Sequence, residues 1–263
     1  MNASALFKAG KLQDAIDAQI QEVRANPADH GKRLFLFELL AFAGDLDRAR
    51  RQIDAVRYDE PELVAAVLNY KQLLDAEQER RRLYREGVPP KLFGEAPEHV
   101  HWRLEALNRL RESRPQEATP CLEKAAEATP SVKGQLNDKP FVSLRDCDDI
   151  LAGVLEVMAQ GAYYWLPLEQ IETLVLNEPR FPRDLLWMPA RLELADSSGN
   201  VFLPVLYPGS HEHPDDAIKL GRAADWKQVP GGPVQGVGAR TFLVDDDAIG
   251  LVEWRKLERE PLR

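Results

Sequence analysis

Cysteine and histidine are scarce in this chain, and long apolar runs are missing from it. Of its 263 residues, two are cysteines and five are histidines. Cys121 and Cys147 are too few for a disulfide framework or a zinc site of their own, which fits a reducing compartment. No apolar stretch approaches the length that spans a bilayer, and the N-terminus lacks the basic and apolar segments of a signal peptide. We therefore expect a cytoplasmic protein without membrane insertion.

An excess of positive charge is also missing. The 34 Lys and Arg residues are outnumbered by 43 Asp and Glu residues, so the formal net charge is −9. Nucleic acids and anionic membranes bind basic surfaces, because neutralising phosphate charge supplies much of their affinity for proteins. The composition therefore argues against nucleic acid or a membrane surface as the main partner.

What the chain does contain is a short pattern that occurs twice near its start. Four residues recur 34 positions later, which is the tetratricopeptide (TPR) period: Gly10, Leu12, Ala15 and Pro27 return as Gly44, Leu46, Ala49 and Pro61. Each copy predicts two helices that turn at the glycine and end before the proline. One such pair cannot bury both of its faces, so the pairs stack and leave a groove that suits a partner. A helical bundle with accidental spacing is the alternative.

Further helical segments follow the repeat. Residues 62–85 carry apolar residues at helical spacing, and Gly87 ends the segment. The run Arg80-Arg81-Arg82 lies among several acidic residues, which favours a solvated helix face. A degenerate third helix pair is predicted after Pro97, since part of the repeat spacing returns at Pro115, Ala118 and Pro130. Residues 1–130 are therefore predicted to form a TPR-like helical domain.

The second half of the chain shows strand patterns. Residues 129–140 are rich in turn formers and mark the predicted domain boundary. The segment Asp148–Gln160 has one apolar face at helical spacing, which predicts a leading helix. Strands are expected to follow, including a hairpin around residues 196–199 and runs at residues 241–244 and 251–257. The predicted fold class is α+β multidomain, with TPR-like helical hairpins (residues 1–130) followed by a small antiparallel β-rich domain (residues 131–263).

Catalytic chemistry has one candidate location, the polar stretch at residues 211–216. His211 and His213 point the same way on an extended segment, and a carboxylate from Asp215 or Asp216 would complete a metal site. The stretch is full of turn formers and no third histidine lies nearby, so a solvated loop is the prediction. We expect no catalytic residue, no metal and no cofactor. The alternative is a metal-dependent or other enzyme with a pocket near His211–Asp216 and Arg222.

Five passages follow one another in a recognisable order along nearly the whole chain. They lie at residues 97–108, 161–171, 183–187, 206–210 and 220–226, and they include Gly161-Ala162-Tyr163-Tyr164-Trp165, Arg183-Asp184-Leu185-Leu186-Trp187 and Leu206-Tyr207-Pro208-Gly209-Ser210. In these passages the chain resembles the ImpE/SciE family. The resemblance implies a cytoplasmic, non-enzymatic adaptor of the bacterial type VI secretion system. It also implies binding to a helix of the small sheath subunit, TssB, and an influence on sheath recycling by the ClpV unfoldase.

The resemblance transfers no binding residues one by one, so the candidates come from the repeat. If the repeats accept a partner helix, the first helix of the second pair should line the groove. The groove candidates lie within about two turns of one another on that helix and are Leu34, Phe35, Glu38 and Phe42. Some of them must also serve the core. A different possibility stays open, in which the second domain is the binding surface and the repeats brace it.

Overall fold

The computed structural model describes residues 1–260, which form a helical half (residues 1–130) and a sheet half (residues 131–260). The α-helices are α1 (Ala3–Lys8), α2 (Leu12–Ala25), α3 (His30–Phe42), α4 (Leu46–Asp54), α5 (Pro61–Glu86), α6 (Glu98–Arg111), α7 (Pro115–Ala128) and α8 (Asp216–Lys219). The strands are β1 (Gly134–Leu136), β2 (Lys139–Phe141), β3 (Leu144–Asp146), β4 (Val154–Ala159), β5 (Ala162–Pro167), β6 (Thr173–Leu176), β7 (Trp187–Leu194), β8 (Ser197–Pro204), β9 (Ala224–Gln228), β10 (Val234–Gly238), β11 (Thr241–Val244), β12 (Asp247–Gly250) and β13 (Lys256–Arg259). The predicted α+β class is confirmed. Among these residues no helix is both long and apolar enough to cross a membrane.

The first two helical hairpins turn at Gly10 and Gly44, as the repeat predicts. The φ angles of these glycines are +77° and +75°, in the left-handed region that glycine adopts without a steric penalty. α1 packs against α2, and α3 packs against α4. The small residues Ala15 and Ala49, which let the paired helices approach closely, are fully buried.

The later helices also follow the sequence pattern. α5 has Pro61 in its first turn and ends at Gly87, whose φ of +78° stops the helix. The predicted third pair is present as α6 and α7, which pack against each other. Pro115 lies in the first turn of α7, where its missing N–H leaves no helical hydrogen bond unmade.

The predicted leading helix at Asp148–Gln160 is wrong, because residues 154–159 form strand β4. The run Val154–Met158 is buried on both faces and is apolar except for Glu156, and a short buried run of this kind has the same pattern in a helix and in a strand. Gln160 and Gly161 both have positive φ, at 50° and 77°, and they form the two-residue turn that joins β4 to β5. The sheet half therefore begins with strands.

The sheet half contains one large antiparallel sheet and two small ones. The large sheet has eight strands in the order β2-β1-β13-β6-β7-β8-β4-β5, and the others are β12-β11-β3 and β10-β9. The predicted hairpin between β7 and β8 is confirmed. Its turn is tighter than predicted, since Leu194 pairs with Ser197 and leaves Ala195 and Asp196 between them.

Two other boundaries differ from the sequence prediction. The turn-rich residues 129–140 include the strands β1 and most of β2, which meet at Asn137 and Asp138, two residues with positive φ. The predicted strand at residues 251–257 is instead a short 3-10 helix, Leu251–Glu253, followed by β13. Both segments lie beside one another, because β1 pairs with β13 in the large sheet.

The hydrophobic core is continuous across the two halves. One cluster includes residues of α2 to α7 together with residues of β4, β5 and β7. Across this contact Phe37 of α3 stacks on Trp187 of β7, with 6.4 Å between the ring centroids. A second cluster lies within the sheet half and contains Phe242 and Trp254. That the halves are separate domains stays a prediction.

Candidate functional site

The four groove candidates lie at two different depths. Leu34 and Phe35, near the start of α3, are partly buried, and the ring of Phe35 meets that of Phe7 edge to face at 6.1 Å between centroids. Glu38 and Phe42, further along the same helix, are only 4 % and 1 % exposed. Of the four, Leu34 and Phe35 therefore keep surface that a partner can contact.

Glu38 is bound by a residue of the sheet half. Its carboxylate accepts a hydrogen bond from Arg183, whose guanidinium lies 4.3 Å from the ring centroid of Tyr70 and 4.0 Å from that of Phe181. Burial raises the pKa of Glu38 to about 7, although the positive charge of Arg183 acts in the opposite direction. The ion pair between Arg183 and Glu38 connects the turn at residues 182–185 to α3.

The sheet half also holds the turn of the first hairpin. The guanidinium of Arg222 donates hydrogen bonds to the carbonyl oxygens of Phe7 and Lys8, at 2.6 and 3.0 Å. Asp216, in α8, accepts a hydrogen bond from the backbone N–H of Leu12 at 2.8 Å. Arg222 and Asp216 belong to the stretch considered as an enzyme pocket, and the structure places them against the helical repeat instead.

A buried ionic network lies where α5 meets the sheet half. Arg80 donates two hydrogen bonds to Glu156 of β4, at 2.8 and 2.7 Å, and a third to the carbonyl oxygen of Leu206. Arg240 donates to Glu156 at 3.0 Å and to Asp146 at 2.7 Å. The four charged residues are each at most 5 % exposed, and two cations balance two carboxylates. The network therefore joins α5 to the sheet half without a net charge.

The protonation states in the network follow from this pairing. Burial alone would raise the pKa of Glu156, but the charges of Arg80 and Arg240 outweigh burial and hold the pKa below its ordinary value. Burial raises the pKa of Asp146, with Arg240 acting against it. Removing charges from water costs several kcal/mol for each ion, so such a network is stable only while its members keep their partners.

The prediction of a solvated face at residues 80–82 is wrong for Arg80. Arg82 does lie on the surface, where it donates to Glu86 at 3.0 Å. Arg80 instead shares the buried face of α5, which also carries Leu73, Ala76 and Leu83. Positions separated by three, four and three residues lie on one side of a helix, so this spacing was a signal available in the sequence.

A cleft of about 230 Å³ opens beside the network, between α5 and the sheet half. Its walls are residues 77–85 of α5, the loop at residues 208–212, and the strands β9 and β10, and Asp148 also lines it. Burial, together with the neighbouring Asp146 carboxylate, raises the pKa of Asp148 to about 7. Burial lowers the pKa of His211 to about 4, so its imidazole is neutral at pH 7.

The candidate metal ligands at residues 211–216 point to different neighbours. His211 lies in the cleft against the turn at Gly44, whereas Nε2 of His213 lies 3.5 Å from the carboxylate of Asp225. His213, Asp215 and Asp216 are outside the cleft lining. In the part of the chain that the structure describes, no group of three or more His, Cys, Asp or Glu side chains is arranged to hold a metal ion.

Sequence reasoning missed a second buried cluster, at the start of α6. Nε2 of His99 lies 2.8 Å from Oε1 of Glu169. Arg103, one turn further along, donates to the carbonyl oxygen of Asp149 at 3.0 Å and to the hydroxyl of Thr129 at 3.1 Å. The contacts with Glu169 and Asp149 connect the third helix pair to the sheet half. Since His99 and Glu169 are 70 positions apart, no local pattern could have paired them.

Comparison with known proteins gives one consistent result. The sequence model of the family described as ImpE protein matches residues 138–258. The chain is 36 % identical over 262 residues to the type VI secretion system accessory component TagJ of Pseudomonas aeruginosa, which covers 99 % of this chain and 92 % of that protein. A crystal structure of a Vibrio parahaemolyticus protein matches with a TM-score of 0.90 and 25 % identity, over 99 % of this chain and 98 % of that one. The chain therefore belongs to the ImpE family, in which its relatives include a type VI secretion accessory component.

Proposed function

We propose that this protein is a cytoplasmic, non-enzymatic adaptor of the type VI secretion system that binds a helix of the small sheath subunit, TssB. Through that contact it modulates recycling of the contracted sheath by the ClpV unfoldase. The observation that carries the proposal is the 36 % identity to a type VI secretion accessory component over nearly the whole chain. Stacked helical hairpins support it further, because such repeats commonly bind extended or helical segments of partners.

The proposed binding surface lies on the first helices of the hairpins. Leu34 and Phe35 keep part of their surface near the start of α3, and ring stacking joins α3 to α5. The first turns of α5 expose three further apolar side chains, which are 42 to 54 % exposed: Leu63, Val64 and Leu68. Apolar residues on two adjoining helices suit a partner helix, whose anchors recur every three or four residues.

A peptide that spans an amphipathic helix of TssB tests this surface in the full-length chain. We expect a Kd that is roughly micromolar, since the entropy lost when a short helix orders offsets part of the contact energy. Phe35→Asp should weaken binding about tenfold or more, because it places a charge in an apolar contact. Val142→Asp is the matched control, at a valine of the sheet half that is 64 % exposed. Since Phe35 also packs on Phe7, the variant must keep the circular dichroism of the wild type.

A second candidate surface lies on β9 of the sheet half. All five residues of this strand are exposed, and Trp226 at its centre is 41 % exposed. Tryptophan is enriched at protein interfaces. If Trp226→Asp abolishes binding of the same peptide while Phe35→Asp does not, the sheet half is the binding surface and the repeats brace it. If the peptide does not bind the wild-type chain at all, the adaptor proposal is overturned.

A further inference from the structure

The cleft between α5 and the sheet half contains more cationic groups than its own carboxylates occupy. Four cationic side chains line it, namely Arg80, Arg81, Arg85 and Lys227. The two glutamates of the lining are both used: Glu77 accepts from Arg81 at 3.3 Å, and Glu212 accepts from Arg85 at 2.9 Å. Lys227 forms no ion pair within residues 1–260.

Arg80 also has an unused donor in this cleft. Its Nε and Nη2 atoms are bonded inside the network, whereas Nη1 donates no hydrogen bond to any residue from 1 to 260. The carboxylate of Glu77 lies 3.6 Å from Nη1, beyond hydrogen-bonding distance. Because the side chain is only 6 % exposed and fixed by Glu156, Nη1 is a rigid donor at the edge of the cleft.

Glu156 balances the charge of Arg80 inside the network, so the cation of the cleft without an ion pair among residues 1–260 is Lys227, and the third carboxylate of the lining does not compensate it. Asp148 accepts hydrogen bonds from the backbone N–H groups of Ile150, Leu151 and Gly236, at 2.8, 3.1 and 2.9 Å. Burial raises the pKa of Asp148 to about 7, so part of its negative charge is lost near neutral pH. Each carboxylate of the lining therefore already accepts at least one hydrogen bond, whereas Nη1 of Arg80 donates none to any residue from 1 to 260.

The rest of the lining is apolar and sets the size of a ligand. Tyr84, Pro208 and Val237 contribute apolar surface, and the cleft measures about 230 Å³. A cavity of about 150 Å³ binds benzene. The cleft therefore has room for one ring with a short charged arm, and it has both polar and apolar walls, as small-molecule sites do.

We infer that this cleft binds a small organic anion whose carboxylate or phosphate bonds to Nη1 of Arg80 and to Lys227, with its apolar body against Tyr84 and Val237. Such a ligand contacts α5 on one side and β9 and β10 on the other. It would therefore bridge the helical half and the sheet half and stabilise their junction, since a ligand that binds only the folded state raises the melting temperature. The inference is independent of the surface proposed for TssB on α3 and α5, whereas Lys227 belongs to β9, the second candidate surface.

Four small molecules test the inference on the full-length chain in phosphate-free buffer of low ionic strength. Phenylacetate and phenyl phosphate carry a ring and an anion, benzylamine carries the same ring with a cation, and inorganic phosphate has no ring. We expect at least one of the two aromatic anions to raise the melting temperature saturably and to bind measurably by calorimetry. Benzylamine should not bind, and inorganic phosphate should bind less tightly than phenyl phosphate. Whichever aromatic anion binds more tightly shows whether the cleft prefers a carboxylate or a phosphate.

A matched pair of lysine variants locates the site. Lys227→Gln should weaken the better ligand about tenfold, because a hydrogen bond to a charged group is lost. Lys139→Gln makes the same change in net charge at an exposed residue of β2 outside the cleft and should leave affinity unchanged. The inference is overturned if neither aromatic anion binds, or if benzylamine or inorganic phosphate binds as tightly as the better aromatic anion. It is also overturned if Lys227→Gln weakens binding no more than Lys139→Gln does.

Discussion

Replacing Arg80 by methionine tests whether the buried network holds the two halves together. Methionine keeps an unbranched apolar stem but removes the two hydrogen bonds to Glu156 and the one to Leu206. Breaking one side of a buried ion pair typically destabilises a protein by about 3–5 kcal/mol, because a charge stays buried without its partner. Glu156 keeps its bonds from Arg240 and Tyr163, so we expect the lower end, about 3 kcal/mol.

Arg82→Met on the same helix is the matched control. Arg82 is exposed and pairs with Glu86 at the surface, and such pairs contribute about 0.5 kcal/mol or less. Urea unfolding should be followed by circular dichroism, which reports mainly the helices, and by tryptophan fluorescence, since four of the five tryptophans lie in the sheet half. If Arg80→Met lowers the unfolding free energy by no more than Arg82→Met, as measured by either signal, the network does not stabilise the junction.

Two further predictions concern single groups at the junction. Gly44→Ala should destabilise the protein by about 1–2 kcal/mol, because alanine is strained at φ +75° and its Cβ would collide with the imidazole of His211. Gly94→Ala, where no neighbour lies within 4 Å, should change stability by less than about 0.5 kcal/mol in the same thermal unfolding experiment. An equal loss of stability in the two variants would contradict the role given to Gly44. Glu38→Gln should flatten the pH dependence of the unfolding free energy between about pH 5 and 7. The folded-state pKa of about 7 lies above the ordinary value of 4.5, so the native state binds more protons in that range and wild-type stability falls as pH rises through it. If Glu38→Gln leaves the slope of unfolding free energy against pH unchanged, Glu38 is not the cause of that slope.

The helical half was predictable because its signals are local. Gly10, Gly44 and Gly87 each end a helix in the left-handed conformation, and a proline opens α5 and α7 where the sequence pattern placed a boundary. In each case the glycine or proline that marks the boundary in the sequence is also the residue at which the helix ends or begins. Packing of the helices then follows from the spacing of their apolar residues.

The start of the sheet half was not predictable in the same way. The apolar residues of Val154–Met158 match a helical period, and only their burial on both faces in the sheet shows that they form a strand. The turn at Gln160 and Gly161 requires two residues with positive φ. Glutamine has no particular preference for that conformation, so the hairpin lacked the asparagine or aspartate that marks such turns.

The candidate site depends on contacts between distant positions. Arg80 meets Glu156 across 76 residues, and Arg240 meets Glu156 across 84. The sequence analysis predicted a solvated face at Arg80, although the spacing of Leu73, Ala76 and Leu83 placed it on the buried face of α5. The sequence contains no information on which carboxylate neutralises it. The same limitation applies to Glu38, which was predicted to face a groove and is bonded to Arg183 of the sheet half.

The groove candidates divide along α3 because the sheet half covers one end of that helix. Glu38 is bonded to Arg183, Phe37 stacks on Trp187, and His211 lies against the turn that follows the helix. These contacts occupy the C-terminal half of α3, so the accessible end is the one that carries Leu34 and Phe35. We expect a partner helix bound at that end of α3 to extend toward the exposed first turns of α5, which carry Leu63, Val64 and Leu68. Phe42→Asp, by contrast, would weaken binding only by disrupting the core, because Phe42 has almost no surface to offer a partner.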